Sequence, residues 1–500
     1  MWKPIAACLG LAGASLVLPS EPSYDPLAWL IWGRELAHLH LDTNGGPSWK
    51  PLPVALTTLF APLGEVDRGL PPELWMVVAR AGALLALALA FRLARRLAGG
   101  GPAGLLGGAV AAVALFLTPD WFQFSAHGSE APIAVALMLW AIERHLDGRT
   151  GHTVVLGTLA CLLRPELFGF LGLYGLWAWR AEPRLRPLVA GALLLLPLAW
   201  IGPEWIGSGS PLDGGAQARS QPAWSLSLAE RPWLRALERV HNHAGLPLEL
   251  LALVAVAVAF ARRQRAVLGL AAAALAEVVL FAGMTQAGFS GNPRYVLPAL
   301  AVGSVLAGVG AARLAEVLPA LAPARTGPWR LAGATAALAV LAIAGQGFLA
   351  ARVTRLEGEA REVGARMQLH RDVAQAVREA GGARAVRAFG SATSNRALQT
   401  RLAWELGVPM ELVESLTAHR VVFRSSRVPI AGGVYMRGRA KFRQTLARVG
   451  SIRVYRREQI SFPLAEREWN TIRSPFTGPL QGIHTRVSRG RIPGPRVVTR

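Results

Sequence analysis

The chain has 500 residues, 52% of them hydrophobic, and a formal net charge of +22. Long apolar runs recur from one end to residue 350, which excludes an ordinary soluble protein. A membrane span needs about 17–25 mostly apolar residues, so the pattern is that of a multi-pass membrane protein.

MWKPIAACLGLAGASLVLPS reads as a first span over residues 4–19. Lys3 before an apolar core also fits a signal peptide, but Pro19 and Glu21 crowd the cleavage site. Further apolar runs fall near 74–91, 103–118, 131–142, 153–163, 167–179, 187–201, 246–261, 266–283, 295–312 and 331–350, which makes about eleven spans. The loops between them alternate. One set is basic, with clusters such as Arg92, Arg95 and Arg96, or Arg262, Arg263 and Arg265. The other set, 20–73, 119–130, 164–166, 202–244 and 284–294, is longer or bears acids. Positive loops stay in the cytoplasm, so the second set faces outside. Asp25, Asp120, Glu130, Arg164, Glu166 and Arg294 then share one side of the membrane.

Within the first external loop, Asp25 followed by Pro26 reads as a helix N-cap and first helical residue. The helix it starts, PLAWLIWGRELAHLH, reads as an interfacial segment with Trp29 and Trp32 at headgroup depth. Asn44-Gly45-Gly46-Pro47 is a turn, and residues 54–60 are apolar but too few to span. Lys50 beside Trp49 either snorkels to the headgroups or meets a lipid phosphate. In the second external loop, Glu130 precedes a span, where the helix dipole favours a carboxylate. His127 reads as a hydrogen-bonding loop residue rather than a metal ligand. Further on, Arg164 and Glu166 interrupt an apolar stretch with Pro165 between them. Ionisable residues at membrane depth are costly and usually functional, and broken helices often line a cavity. The alternative is a tight turn in which the two pair with each other. The loop 202–244 holds a Gly/Ser/Pro-rich segment of the kind that covers a site.

The chain divides by composition into a membrane part over 1–350, a soluble α/β domain over 351–465 and a loosely ordered basic tail over 466–500. Parity places the last two outside. Residues 357–382 have helical periodicity ending at Gly381–Gly382, ARAVRAFG (383–390) and RVVFRS (420–425) look like strands, and 396–409 is a second helix. The last 150 residues carry 28 Lys+Arg against 11 Asp+Glu. They contain no helix-turn-helix, zinc or aromatic-basic motif, so nucleic acid is not an expected partner. Anionic lipids or acidic envelope polymers are. Cys8 and Cys161 lie in apolar segments and lack metal-ligand spacing.

A first span, an external loop opening on an acid, an interfacial helix pair, many further spans and an external C-terminal domain together resemble the GT-C superfamily of membrane glycosyltransferases. The likeness covers roughly residues 1–350, and GNPRYVLPAL (291–300) is its most specific motif. The nearest branches are protein O-mannosyltransferases, aminoarabinose transferases and mycobacterial arabinosyl- or mannosyltransferases. The resemblance implies an inverting transferase that moves a sugar from a polyprenyl-phosphate donor to an envelope glycan, lipid or protein on the outer face of the plasma membrane. It implies Asp25 as the general base, with Glu130 or Asp120 as a second acid that orients the acceptor or holds Mg²⁺ or Mn²⁺. Arg164 is the first candidate for the donor phosphate, helped by Lys50 and Arg294. Tyr24, His127, Glu166 and Tyr295 complete the candidate substrate-binding set. A polyprenyl-linked lipid or sugar transporter is the rival reading; it calls for an internal repeat, and none is visible.

Overall fold

Each apolar run falls on a helix. α1 (Trp2–Ala14) leads through a loop to α2 (Tyr24–Ala37) and α3 (Pro51–Phe60). α4 (Leu70–Leu97) and α5 (Gly101–Phe116) form a long hairpin, and the short α6 (Trp121–Ala126) precedes α7 (Ala131–Leu146) and α8 (Thr150–Cys161). α9 (Phe168–Ala181) and α10 (Arg186–Ser208) follow, then α11 (Asp213–Ala218) and α12 (Pro232–Ala244) in the long loop. α13 (Leu246–Ala261), α14 (Arg265–Gln286) and α15 (Leu297–Leu321) complete the bundle. α16 (Gly327–Glu379) leaves it as one rod of 53 residues. This computed structural model describes residues 2–219, 224–321, 327–390, 392–394, 396–414, 421–425 and 442–457. The tail expected over 466–500 lies outside them.

Among the described residues, four helices are long and apolar enough to cross a membrane, and α12 with α13 makes a fifth candidate bent by 89°. The shorter helices α1, α5, α7, α8 and α9 carry further apolar runs, and the run 331–350 falls on α16. The apolar window of α15 is 83% buried, against 11% for that of α10. α15 is therefore the hub and α10 lies at the rim. Small residues make the hub possible: a Cβ on Gly107 of α5 would stand 2.7 Å from the Gly308 carbonyl of α15.

The basic loops gather at one end. Arg92 pairs with Glu143 at 2.8 Å, Arg96 with Asp147 at 2.6 Å, and Arg262 with Glu316 at 3.7 Å. α7 and α15 end there and begin at the opposite end, where the candidate residues lie.

α2 starts at Tyr24 with Ser23 as its N-cap, so Asp25 lies inside the first turn and does not cap. Trp29 and Trp32 are fully buried, so protein and not lipid headgroups surrounds them. Trp29 packs edge-on against Trp75 of α4 and Trp32 against Trp49, with ring centres 5.4 and 5.5 Å apart, and α18 (Arg396–Leu406) of the C-terminal unit lies over α2. Leu27, Trp29 and Trp32 share one core with Leu398, Leu402, Val421 and Phe423. On the other flank, α3 packs so closely that a Cβ on Gly33 would meet the backbone of Thr57.

α16 stops at Glu379, just before Gly381, which is left-handed at φ +97°. The next segment corrects the sequence reading: residues expected as a strand form α17 (Gly382–Ala388). Ala and Arg are strong helix formers, and only Val386 there is fully buried, so no alternating buried face exists to select a strand. After β1 (Ala392–Thr393) come α18 and the short α19 (Glu411–Glu414). β2 (Val421–Ser425), β3 (Phe442–Val449) and β4 (Ile452–Arg457) complete a sheet of order β1-β2-β4-β3, parallel only at β1–β2.

Candidate active site

Helix starts deliver the charged side chains. Asp25 is in the first turn of α2, Lys50 is the N-cap of α3, and Glu130 is the N-cap of α7. Arg164 precedes the turn Pro165–Leu167 that opens α9, and Arg294 lies in the turn Pro293–Tyr295 that opens α15. A proline stands within two residues of each, because proline suits a first turn whose N–H groups have no intrahelical partner. Several helix N-termini thus point their partial positive charge toward one region, an arrangement that favours a bound anion.

The side chains meet as a chain of ion pairs. Arg294 Nη1 is 2.5 Å from Asp25 Oδ2. Arg164 Nη2 is 3.2 Å from Glu130 Oε1, and Lys50 Nζ is 3.6 Å from the same oxygen. Arg164 Nη1 is 3.3 Å from Glu166 Oε1, so the local pair expected from sequence forms as well. Tyr295 links the two halves, its ring centre 5.7 Å from each of the Arg164 and Arg294 guanidinium carbons. Lys50 does not snorkel. It is buried, donates to the Leu163 carbonyl at 3.0 Å and lies 5.5 Å from the Trp200 ring centre.

Glu130 and Arg164 are both fully buried. Burial acts to raise the Glu130 carboxyl, but the charges of Arg164, Lys50 and Arg294 override it and hold it below the usual carboxylate range. Burial lowers the Lys50 ammonium, with Glu130 opposing. Donors remain: among the described residues, the Nε atoms of Arg164 and Arg294 have no hydrogen-bond partner. A buried guanidinium with unused N–H groups is a ready receptor for a phosphate.

Three candidates lie apart from this chain. Asp120 pairs with His243 of α12 at 3.2 Å and Arg355 of α16 at 2.8 Å, fastening those helices. His127 is buried with Nδ1 3.2 Å from the Glu21 carbonyl. The Tyr24 hydroxyl donates to Gln399 of α18 at 2.9 Å. Nor do the carboxylates fit a divalent cation. Asp25, Glu130 and Glu166 are each neutralised by arginine or lysine, and among the described residues no three His, Cys, Asp or Glu side chains gather to hold one.

Two groups escaped the sequence reading. Trp200 gave no local signal. Glu277 is buried in α14 with Oε1 lacking a hydrogen-bond partner among the described residues, and a lone acid in AAAALAEVVLF was the sign of it. Beyond them, an apolar groove of about 430 Å³ runs between α8, α9 and α10, lined by Val154, Leu171, Gly172, Gly175, Leu193 and Leu196. Leu196 is one helical turn from Trp200, the ring that Lys50 approaches at 5.5 Å.

A multi-pass bundle whose first loop carries an acid to a buried charged centre, roofed by a small α/β unit, is a membrane protein of GT-C-like fold. No family model and no curated protein matches the chain. In structure it is similar to ArnT from Cupriavidus metallidurans bound to undecaprenyl phosphate, with a TM-score of 0.52 at 15% identity over 91% of this chain and 97% of that one. The apo state of the same ArnT matches with the same figures.

Proposed function

We propose that this protein is a polyprenyl-phosphate-dependent glycosyltransferase that transfers a sugar, with inversion, to an envelope glycan, lipid or protein on the outer face of the membrane. The observation that carries the reading is the Asp25 carboxylate held 2.5 Å from Arg294, beside the buried cations Arg164 and Lys50. Such a centre supplies a base next to receptors for a phosphate. The structural neighbour bound to undecaprenyl phosphate supports the donor class, and the groove ending near Trp200 suits a prenyl chain. The alternation of basic loops supports the outer face.

In the reaction the acceptor hydroxyl oxygen attacks the anomeric carbon while Asp25 takes its proton. The bond from that carbon to the phosphate oxygen breaks, and the phosphate leaves with the electron pair. Arg164, Lys50 and Arg294 balance the charge that develops on it. Glu130 holds Arg164 and Lys50 in place, and Tyr295 spaces the two guanidiniums. The products are the glycosylated acceptor, polyprenyl phosphate and a proton on Asp25.

The test is sugar transfer by purified protein in detergent with a panel of polyprenyl-phosphate sugars, wild type beside Asp25→Asn. Turnover by wild type and none by the variant supports the reading. Equal turnover removes Asp25 as the base.

A further inference from the structure

Residues 21–25 are held from three directions. The bundle holds their backbone: Glu21 N donates to the Ala126 carbonyl at 3.2 Å, and Ser23 N to that of His127 at 3.0 Å. α16 contributes His370, whose Nδ1 is 3.0 Å from Glu21 Oε1. α18 contributes Arg401, whose Nη1 is 2.6 Å from the same oxygen, and Gln399, which accepts from the Tyr24 hydroxyl at 2.9 Å. Gln399 Nε2 also donates to the Gly45 carbonyl at 3.1 Å and to that of Met410 at 3.2 Å, tying the turn of the first loop to the same point. His370 and Gln399 are 3% and 1% exposed, so these bonds are sheltered from water.

An apolar contact alone would hold the C-terminal unit onto α2, and the shared core already supplies one. It would also tolerate a slip of the segment. A buried set of directed hydrogen bonds admits one register, because each alternative leaves a polar group unpaired at about 1–3 kcal/mol. Glu21 and Tyr24 flank the start of the helix that carries Asp25, and Asp25 follows Tyr24 directly. We propose that the C-terminal α/β unit is a positioning element for this carboxylate: Gln399, His370 and Arg401 act through Tyr24 and Glu21 to hold Asp25 opposite Arg294. The proposal rests on the reading of Asp25 as the base and assigns the unit a role in the reaction without contact to the reacting atoms.

The experiment compares the full-length protein with Gln399→Leu, His370→Leu, Arg401→Met and Arg401→Lys. Transfer kinetics are measured together with amide hydrogen exchange over residues 20–26. A misplaced base should lower kcat about 10- to 100-fold with donor KM within about twofold. Exchange should rise at 20–26 while α4 and α15 stay protected, and Arg401→Lys should restore most of both. Unchanged kcat and exchange overturn the proposal. So does a loss of protection throughout the bundle, since the unit would then support the whole fold. If wild type transfers no sugar from any donor, the proposed base falls, and the exchange comparison alone decides whether the unit positions this segment.

Discussion

Arg294 holds Asp25 through an Nη1–Oδ2 contact of 2.5 Å, and the two residues are 269 positions apart in the chain. One oxygen of the proposed base is thus occupied before any donor arrives. A donor phosphate competes for the same guanidinium, and donor binding that draws Arg294 away would release Asp25 for the hydroxyl proton. Asp25→Asn is expected to cut transfer by about 10²–10⁴-fold while undecaprenyl phosphate still binds in a direct titration. Loss of that binding would mean that Asp25 shapes the phosphate site.

Glu130→Gln separates two effects. The substitution removes the Lys50 counter-charge and leaves Arg164 with Glu166 alone, and breaking a buried pair costs about 3–5 kcal/mol. Tm should fall. Undecaprenyl phosphate binding should tighten, because the centre gains one net positive charge. Weaker phosphate binding in a still-folded variant would contradict this balance of charges.

Lys50→Met keeps the length of the stem and removes the charge. One charge-assisted bond is worth about 1.5–3 kcal/mol, so donor KM should rise about 10- to 100-fold. Donor KM at the wild-type value would leave Lys50 as a strut between Glu130 and the Leu163 carbonyl.

Gly172 lines the apolar groove and has open space where a Cβ would stand. Gly172→Phe also gains helix propensity, so folding should not suffer. Transfer from a long-chain prenyl donor should fall, and transfer from a short-chain analogue should persist. Equal loss with both donors would place the prenyl chain elsewhere.

Acid should loosen the junction between the first loop and the C-terminal unit. Burial holds the His370 imidazole below its ordinary value, against the pull of Glu21. For Glu21 burial pushes upward, and the His370 hydrogen bond and the Arg401 charge outweigh it. The His370 hydrogen bond and the Arg401 charge thus favour the ionised Glu21; His127, Arg366 and Arg371 are the other titratable or charged groups acting on the pair. Both values lie below those of the unfolded chain, which therefore binds more protons. The stability is present above the unfolded histidine value of about 6.5 and is lost as pH falls through the folded values, His370 first. Exchange at 20–26, corrected for the intrinsic rate, should rise as pH falls below about 6.5. His370→Gln should flatten that rise, and an unaltered profile in the variant would acquit His370.

Much of this protein can be read from local pattern. Arg164 and Glu166 announced themselves by breaking an apolar run beside a proline, and the alternation of basic loops put Asp25, Glu130 and Arg294 at one end. Trp29 and Trp32 show the limit. Their amphipathic setting is the same whether lipid headgroups or protein covers them, and part of the cover, α18, begins hundreds of residues downstream. ARAVRAFG shows another: its alternating apolar residues suit a strand or a short helix, and the left-handed Gly381 with the packing of Val386 selects the helix.

By itself the sequence determined where the apolar helices of the bundle lie and which loops share an end. Hydrocarbon compels each apolar run to satisfy its backbone internally, and that is a local requirement. Only the tertiary structure decided which charge meets which. Ion pairing falls off over a few ångströms, and the distances between Asp25 and Arg294, or between Glu21 and His370, are set by helix crossings that no neighbouring residue encodes.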